Sequence, residues 1–315
     1  MFIDQETIAT LERKYKKNTI KTINNSIKKI FVKGLNLSIY DSDKLIDKAD
    51  DIIKYINSLD KIGVKKTITF NIIAIIGKNN KKYNNLSNGF CKENNRIKLY
   101  KKPTKKEINL YKNLEEINNI HISYTTDNYY NFIRYVISAF YVYLPPLRGQ
   151  EFYTLKISDT ELDTNYYNTK TNTININNYK TMDKYGPKQM NIDSELKDIL
   201  TEWIDFNDIK NGDYLLTNSK KNKFTQYSFT KMLWRIFGKG FSVDMLRKVY
   251  IVEILRYLNG KEILWRKRLS FIMGHSIITQ EFIYSNFRQI DNINYSSNDY
   301  MNNVFNRLKN SFIGI

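Results

Sequence analysis

Cysteine and histidine are almost missing from this chain. Cys91 is the single cysteine, and His121 and His275 are the only histidines in 315 residues. One thiol cannot form a disulfide within the chain, and its rarity suits a reducing compartment. A zinc site of ordinary composition needs about four Cys or His ligands, so it is excluded on count. Four prolines and twelve glycines are too few for a turn-rich all-β fold and favour long helices. No apolar run approaches the roughly 18 residues of a membrane span. The opening MFIDQETIATLERKYKK has no apolar signal-peptide core. The expectation is a soluble intracellular protein with no membrane partner.

What is abundant is positive charge. Fifty Lys and Arg against 32 Asp and Glu leave a formal net charge of +18, which points to a polyanionic partner, nucleic acid first. Asn, Ile and Tyr are also frequent, as AT-rich coding produces, and that bias accounts for part of the lysine. Hydrophobic residues at 42% suffice for a core, and the length suits one large or two ordinary domains.

Periodicity divides the chain. Asp4 can cap a first helix. Ile20, Ile23, Ile27, Ile30 and Phe31 then recur at helical spacing with lysines opposite, and Gly34 stops the run. A helix begins at Ser42 or Asp43, and Thr67–Asn80 reads as a buried helix. Asn79–Asn88 is polar and reads as a loop. Residues 1–95 are expected to be a basic, all-helical domain, 96–119 a charged linker around Pro103 entering a polar helix, and 120–315 a second domain. There a helical run from Asn128 is broken at Pro145-Pro146, and a new helix starts near Arg148 or Gly149. Tyr167–Thr181 alternates with period two, Asp183–Pro187 is a turn, and Lys188–Asp193 a returning strand. Helices resume from Ser194. The expected fold is mainly α with a small antiparallel β-sheet.

Single residues say little: Arg148 with Glu151 at i,i+3 is ordinarily a surface pair, and Tyr284 in an apolar run ordinarily a core ring. Their order says more. The chain reads Leu147-Arg148-x-x-Glu151, a lysine-bearing hairpin, Leu246-Arg247 near a helix start, then Gly274-His275 and, after eight residues, Tyr284. This series resembles the tyrosine recombinases, the phage-integrase-type enzymes that cut and rejoin DNA strands, and the likeness spans most of the chain.

The resemblance implies a helical core-binding domain that clamps duplex DNA, followed by an α+β catalytic domain. It implies Tyr284 as nucleophile, forming a covalent 3′-phosphotyrosine without metal, ATP or any other cofactor. Arg148 and Arg247 match the phosphate-binding arginines, whose planar forks grip non-bridging oxygens. His275 matches a histidine that bonds the phosphate or accepts the phenol proton. The general acid is a hairpin lysine: Lys180, Lys184 and Lys188 are available, and the Lys180-Thr181 pair favours Lys180. Glu151 is expected to hold Arg148. Asp244 departs from the pattern, standing where the family usually has histidine; it reads as a first-turn acid in a helix capped by Ser242, with a further role in orienting Arg247. A second departure is the long stretch from Arg247 to His275, with a basic run at Lys261–Ser270.

The function implied is a site-specific recombinase or integrase of a virus or mobile element, acting as a homo-tetramer on double-stranded DNA, with the tail Asn306–Ile315 as a candidate for docking on a neighbouring subunit. Its compartment follows the DNA: the nucleus or a viral replication compartment in a eukaryotic host, the cytoplasm in a bacterium. Two other readings stand beside it. One is a type IB topoisomerase, which shares the catalytic plan but carries Ser-Lys-Arg-Ala-Tyr where this chain has Glu281-Phe282-Ile283-Tyr284. The other is a DNA-binding protein with a decayed site.

Overall fold

The computed structural model describes residues 2–100, 102–259, 263–281 and 293–311. The chain is mainly helical with one small sheet, and it divides into two units, Met1–Lys101 and Lys102–Ile315. The division falls inside the stretch 96–119, which holds the end of one helix, a short helix and most of another.

The first unit contains α1 (Gln5–Glu12), α2 (Lys17–Lys29), α3 (Lys44–Asp47), α4 (Ala49–Ser58), α5 (Ile62–Ile76) and α6 (Lys81–Tyr100). Asp4 caps α1, its carboxylate accepting from Thr7 N–H at 2.7 Å. Ile20, Ile23 and Ile27 of α2 are buried with Ile52, Ile56 and Ile72 in one aliphatic core. α2 ends in a π-helical turn, Ile30–Gly34, where Leu35 N–H reaches the Ile30 carbonyl. Asn79–Asn88, read as a loop from its polarity, lies largely within α6. Tyr83 is fully buried there and donates its hydroxyl to the Leu45 carbonyl at 2.7 Å. One well-placed aromatic anchor thus outweighs a run of polar residues.

The second unit contains α7 (Lys105–Leu110), α8 (Leu114–Ile122), α9 (Tyr129–Tyr143), α10 (Gly149–Tyr153), β1 (Lys156–Ser158), β2 (Tyr166–Asn168), β3 (Thr173–Ile176), α11 (Met182–Tyr185), β4 (Lys188–Asn191), α12 (Ser194–Asn207), α13 (Gln226–Phe237), α14 (Val243–Leu258), α15 (Ile263–Ile272), α16 (Ile277–Thr279) and α17 (Asn298–Ser311). β2, β3 and β4 form the expected antiparallel meander, with Ile174 opposite Met190. β1 extends it by pairing parallel to β2, making the sheet mixed. At three residues β1 is too short to show alternation. Backbone bonds hold it: Ile157 N–H to the Asp213 carbonyl and Gly212 N–H to the Ile157 carbonyl.

α9 and α14 are buried almost all round, as central helices must be. Trp203 of α12 packs edge-on to Phe132 of α9 and donates its indole N–H to the Leu215 carbonyl. α17 packs on its own unit. Met301, Val304, Phe305 and Leu308 are buried in the same core, and Arg307 pairs with Asp193 at 3.4 Å. The described part of the tail, residues 306–311, is therefore docked within the chain; residues 312–315 lie outside the described residues. Among the described residues no helix is long and apolar enough to cross a membrane, and no group of three His, Cys, Asp or Glu is placed to hold a metal ion.

Candidate functional site

The end of α15 organises the site. Gly274 has φ +64°, a left-handed conformation that an L side chain resists. It lets the chain close a Schellman motif: Gly274 N–H bonds the Phe271 carbonyl and His275 N–H the Ser270 carbonyl, both at 3.0 Å. Ser276 then caps α16, accepting from Thr279 N–H at 3.1 Å. The Gly-His-Ser sequence is thus first a helix stop followed by a helix start.

That closure leaves three successive carbonyls, of Ile272, Met273 and Gly274, to find donors elsewhere. Each finds a cation. Lys188 Nζ donates to the Ile272 carbonyl at 2.8 Å, Arg247 Nη2 to Met273 at 2.6 Å, and Arg148 Nη2 to Gly274 at 3.2 Å. The negative end of the helix dipole favours all three.

Each cation arrives on a different element. Pro145-Pro146 ends the extension of α9, and Arg148 follows at the N-cap position of α10. Glu151, 3% exposed, reaches back to accept from the Arg148 N–H at 2.8 Å and from its Nη1 at 3.4 Å. Arg247 lies early in α14, is 6% exposed, and also donates Nη1 to the Pro146 carbonyl at 2.9 Å. Lys188 opens β4 and is 5% exposed, on the inward face it shares with Met190. Its ammonium stands 4.4 Å from the centroid of the Tyr179 ring.

A Cβ added at Gly274 would lie 3.0 Å from Thr181 Oγ1, 3.3 Å from Lys188 Nζ and 3.4 Å from Arg148 Nη1. Three hydrogen-bond donors thus converge on a space that a larger residue would occupy. Electrostatics follow from this crowding. Burial, with Arg148 and Arg247 close by, pulls the Lys188 ammonium down to about 8, although Glu151 opposes the shift. Burial, then Arg247, Arg148 and Lys188, lowers His275 to about 3, so its imidazole is neutral at physiological pH.

Of the residues expected from sequence, Arg148, Glu151, Arg247 and His275 are therefore brought together. Lys180 is not: it is exposed, and the buried lysine beside the arginines is Lys188. The signal was in the strand pattern, since period two from Met190 puts Lys188 on the core face. Thr181, absent from the sequence reading as a site residue, lies beside Gly274. Asp244 is exposed and pairs with Lys248 at 2.9 Å, while Lys248 also binds Glu107 at 2.8 Å. The orienting contacts of Arg247 described above come from main-chain carbonyls. Ser242 caps α14 as expected, accepting from Met245 N–H at 3.3 Å. Tyr284 lies outside the described residues. The last described residue before it is Glu281, whose carboxylate pairs with Arg266 at 3.1 Å; Gln280 beside it is buried and donates to the Arg266 carbonyl.

No protein-family model matches the chain, and no curated protein matches it. Among solved structures it is similar to the crystal structure of XerA recombinase, at 15% identity over 96% of this chain and 98% of that one, with a TM-score of 0.43. A likeness that weak carries no weight, and the functional case stands on the side chains themselves.

Proposed function

We propose that this chain cuts and rejoins DNA strands by transesterification, as a tyrosine recombinase does. What carries the proposal is the meeting of Arg148, Arg247 and Lys188 on three consecutive carbonyls, with one buried carboxylate, Glu151, among them. Two buried cations, Arg247 and Lys188, and the half-buried Arg148 face one anion, which is costly, and a phosphate diester would supply the missing negative charge.

In this mechanism Tyr284 attacks the phosphorus, the P–O5′ bond breaks, and a 3′-phosphotyrosine forms. The phenol proton passes to His275, whose imidazole is neutral and weakly basic beside three cations in the free protein; the negative charge of a bound phosphate diester offsets those cations and raises its basicity. The arginines stabilise charge on the non-bridging oxygens. Lys188, rather than Lys180, protonates the departing 5′ oxygen, because an ammonium held at about 8 gives up a proton near neutral pH far more readily than a free lysine. A 5′ hydroxyl of a second strand reverses the sequence. Exchange between two duplexes needs four such nucleophiles, hence a tetramer on DNA.

The test is trapping. Nicked duplexes that release the 5′ fragment on cleavage, drawn from a randomised pool, are incubated with wild type and Tyr284→Phe. A covalent adduct that maps to Tyr284 and is lost in the variant is expected. An adduct that survives Tyr284→Phe, or none in the wild type at any sequence, overturns the proposal.

A further inference from the structure

A second basic region lies outside the site just described. Between Asp213 and Asp244 the chain carries six Lys and Arg and no Asp or Glu. Here the N-terminus of α9, the turn after Leu216 and α13 enclose a cavity of about 400 Å³. Its floor is apolar, from the buried Phe224 and Met232. Two phenol rings line it and remain largely in water, Tyr130 at 59% exposure and Tyr227 at 72%. Lys231 and Arg235, one helical turn apart on α13, complete the wall. Among the described residues no carboxylate lines the cavity.

This combination is unusual for a free surface. Large rings left in water cost hydrophobic free energy that burial would recover. Lys231 stands 5.3 Å from the Tyr227 ring centroid and 4.2 Å from that of Trp234, so a cation borders one of the exposed rings. Flat rings beside an apolar recess, with ammonium and guanidinium groups at its edge and no competing acid, match a flat heterocycle that carries a phosphate.

We infer that this cavity takes a nucleotide of single-stranded DNA, its base against Tyr130 or Tyr227 and its phosphate on Lys231 and Arg235. A base paired and stacked in a duplex has both faces covered and cannot enter a recess; an unpaired base can. The site is separate from the Arg148, Arg247 and Lys188 cluster and does not depend on strand cleavage. It gives a strand-exchanging protein a place to hold a nucleotide that has left its partner.

The experiment uses the full chain carrying Tyr284→Phe, so that no cleavage interferes, and follows the fluorescence anisotropy of a labelled oligothymidylate and of a labelled duplex of equal length at one fixed salt concentration. The double variant Tyr130→Ala, Tyr227→Ala should bind the single strand roughly five- to a hundred-fold more weakly, the range expected for loss of base stacking, with duplex affinity unchanged. Tyr130→Phe, Tyr227→Phe keeps both rings and should bind the single strand as the parent does. Both tyrosines are exposed, so the fold survives their replacement, which thermal unfolding checks. An unchanged single-strand affinity in the alanine variant, an equal loss for the duplex, or failure of the parent chain to bind the single strand overturns the inference.

Discussion

The guanidinium groups of Arg148 and Arg247 are bonded to adjacent carbonyls, those of Gly274 and Met273. Two arginines far apart in sequence are thus set side by side by one turn of backbone at the end of α15. The last carbonyls of a helix must be satisfied by some donor. The same bonds that finish the helix fix the direction of both forks before any ligand arrives, the kind of preorganisation that electrostatic catalysis requires.

Arg247 therefore has two roles that substitution can separate. Arg247→Ala leaves the Pro146 and Met273 carbonyls without these donors in a buried place, and should cost about 3 kcal/mol of stability. Arg247→Lys keeps the charge but loses the fork that spans both carbonyls. It should unfold at a denaturant concentration between those of wild type and Arg247→Ala while cleaving DNA at least ~100-fold more slowly. Denaturant titration and single-turnover adduct formation measure the two. A lysine variant that cleaves at the wild-type rate would remove Arg247 from the phosphate site.

The two hairpin lysines make opposite predictions. Lys188 is held at about 8 in the free protein, so the second-order rate of adduct formation, which reports free-enzyme groups, should fall as pH rises above about 8. Lys188→Gln should slow cleavage by roughly 10²- to 10⁴-fold, the usual contribution of a general acid. Lys180→Ala, at an exposed position, should leave rate and pH profile unchanged. The converse result, with Lys180 essential and Lys188 dispensable, would restore the reading made from sequence.

Gly274→Ala should impair the site more than the fold. Its φ of +64° makes any side chain strained, by about 1 kcal/mol. The added methyl would also press on Thr181 Oγ1, Lys188 Nζ and Arg148 Nη1 at 3.0 to 3.4 Å. A melting temperature a few degrees lower is expected, together with a loss of cleavage of about tenfold or more, since each donor must shift by tenths of an ångström. Equal small losses in both would make Gly274 a helix stop and nothing else.

Much of this was legible in the chain because capping and periodicity are local. Asp4 and Ser242 cap the helices they were expected to cap, and Gly274 stops the one before it. Arg148, Arg247 and His275, singled out by the resemblance their order carries, are brought together around the end of α15. What was missed is long-range. The polar stretch Asn79–Asn88 is helical because Tyr83 reaches the Leu45 carbonyl, a contact no window of ten residues contains. The burial of Lys188 beside the arginines was not legible among the three hairpin lysines, because a buried lysine looks like an exposed one until its strand face is known. The parallel pairing of β1 with β2 rests on backbone partners near residue 213 that no pattern in β1 announces.

Acid should unfold the protein through its two histidines first. Burial and the neighbouring cations lower His275 to about 3. Burial lowers His121 to about 4, against a backbone hydrogen bond at Tyr135 that raises it. The unfolded chain binds protons at both near pH 6.5, the folded chain only well below that. Their contribution is therefore fully present above pH 6.5 and is lost as pH falls toward 4 and then 3. Burial pushes Glu107 upward, but its bonds to Lys248 and Thr104 prevail and hold it at about 2, so its share is lost only below about 4.5. Between pH 6.5 and 4.5 the histidines act without it, and urea stability should fall by up to about 2.7 kcal/mol per pH unit, about 1.36 for each. His121→Phe should halve that slope. A benzene ring can keep the stack on Tyr135, at 4.3 Å, and the edge contact with Tyr143, while Ser138 still donates to a helix carbonyl. If the variant shows the full wild-type slope, the titration belongs to other groups and the neutral imidazole assigned to His121 is wrong.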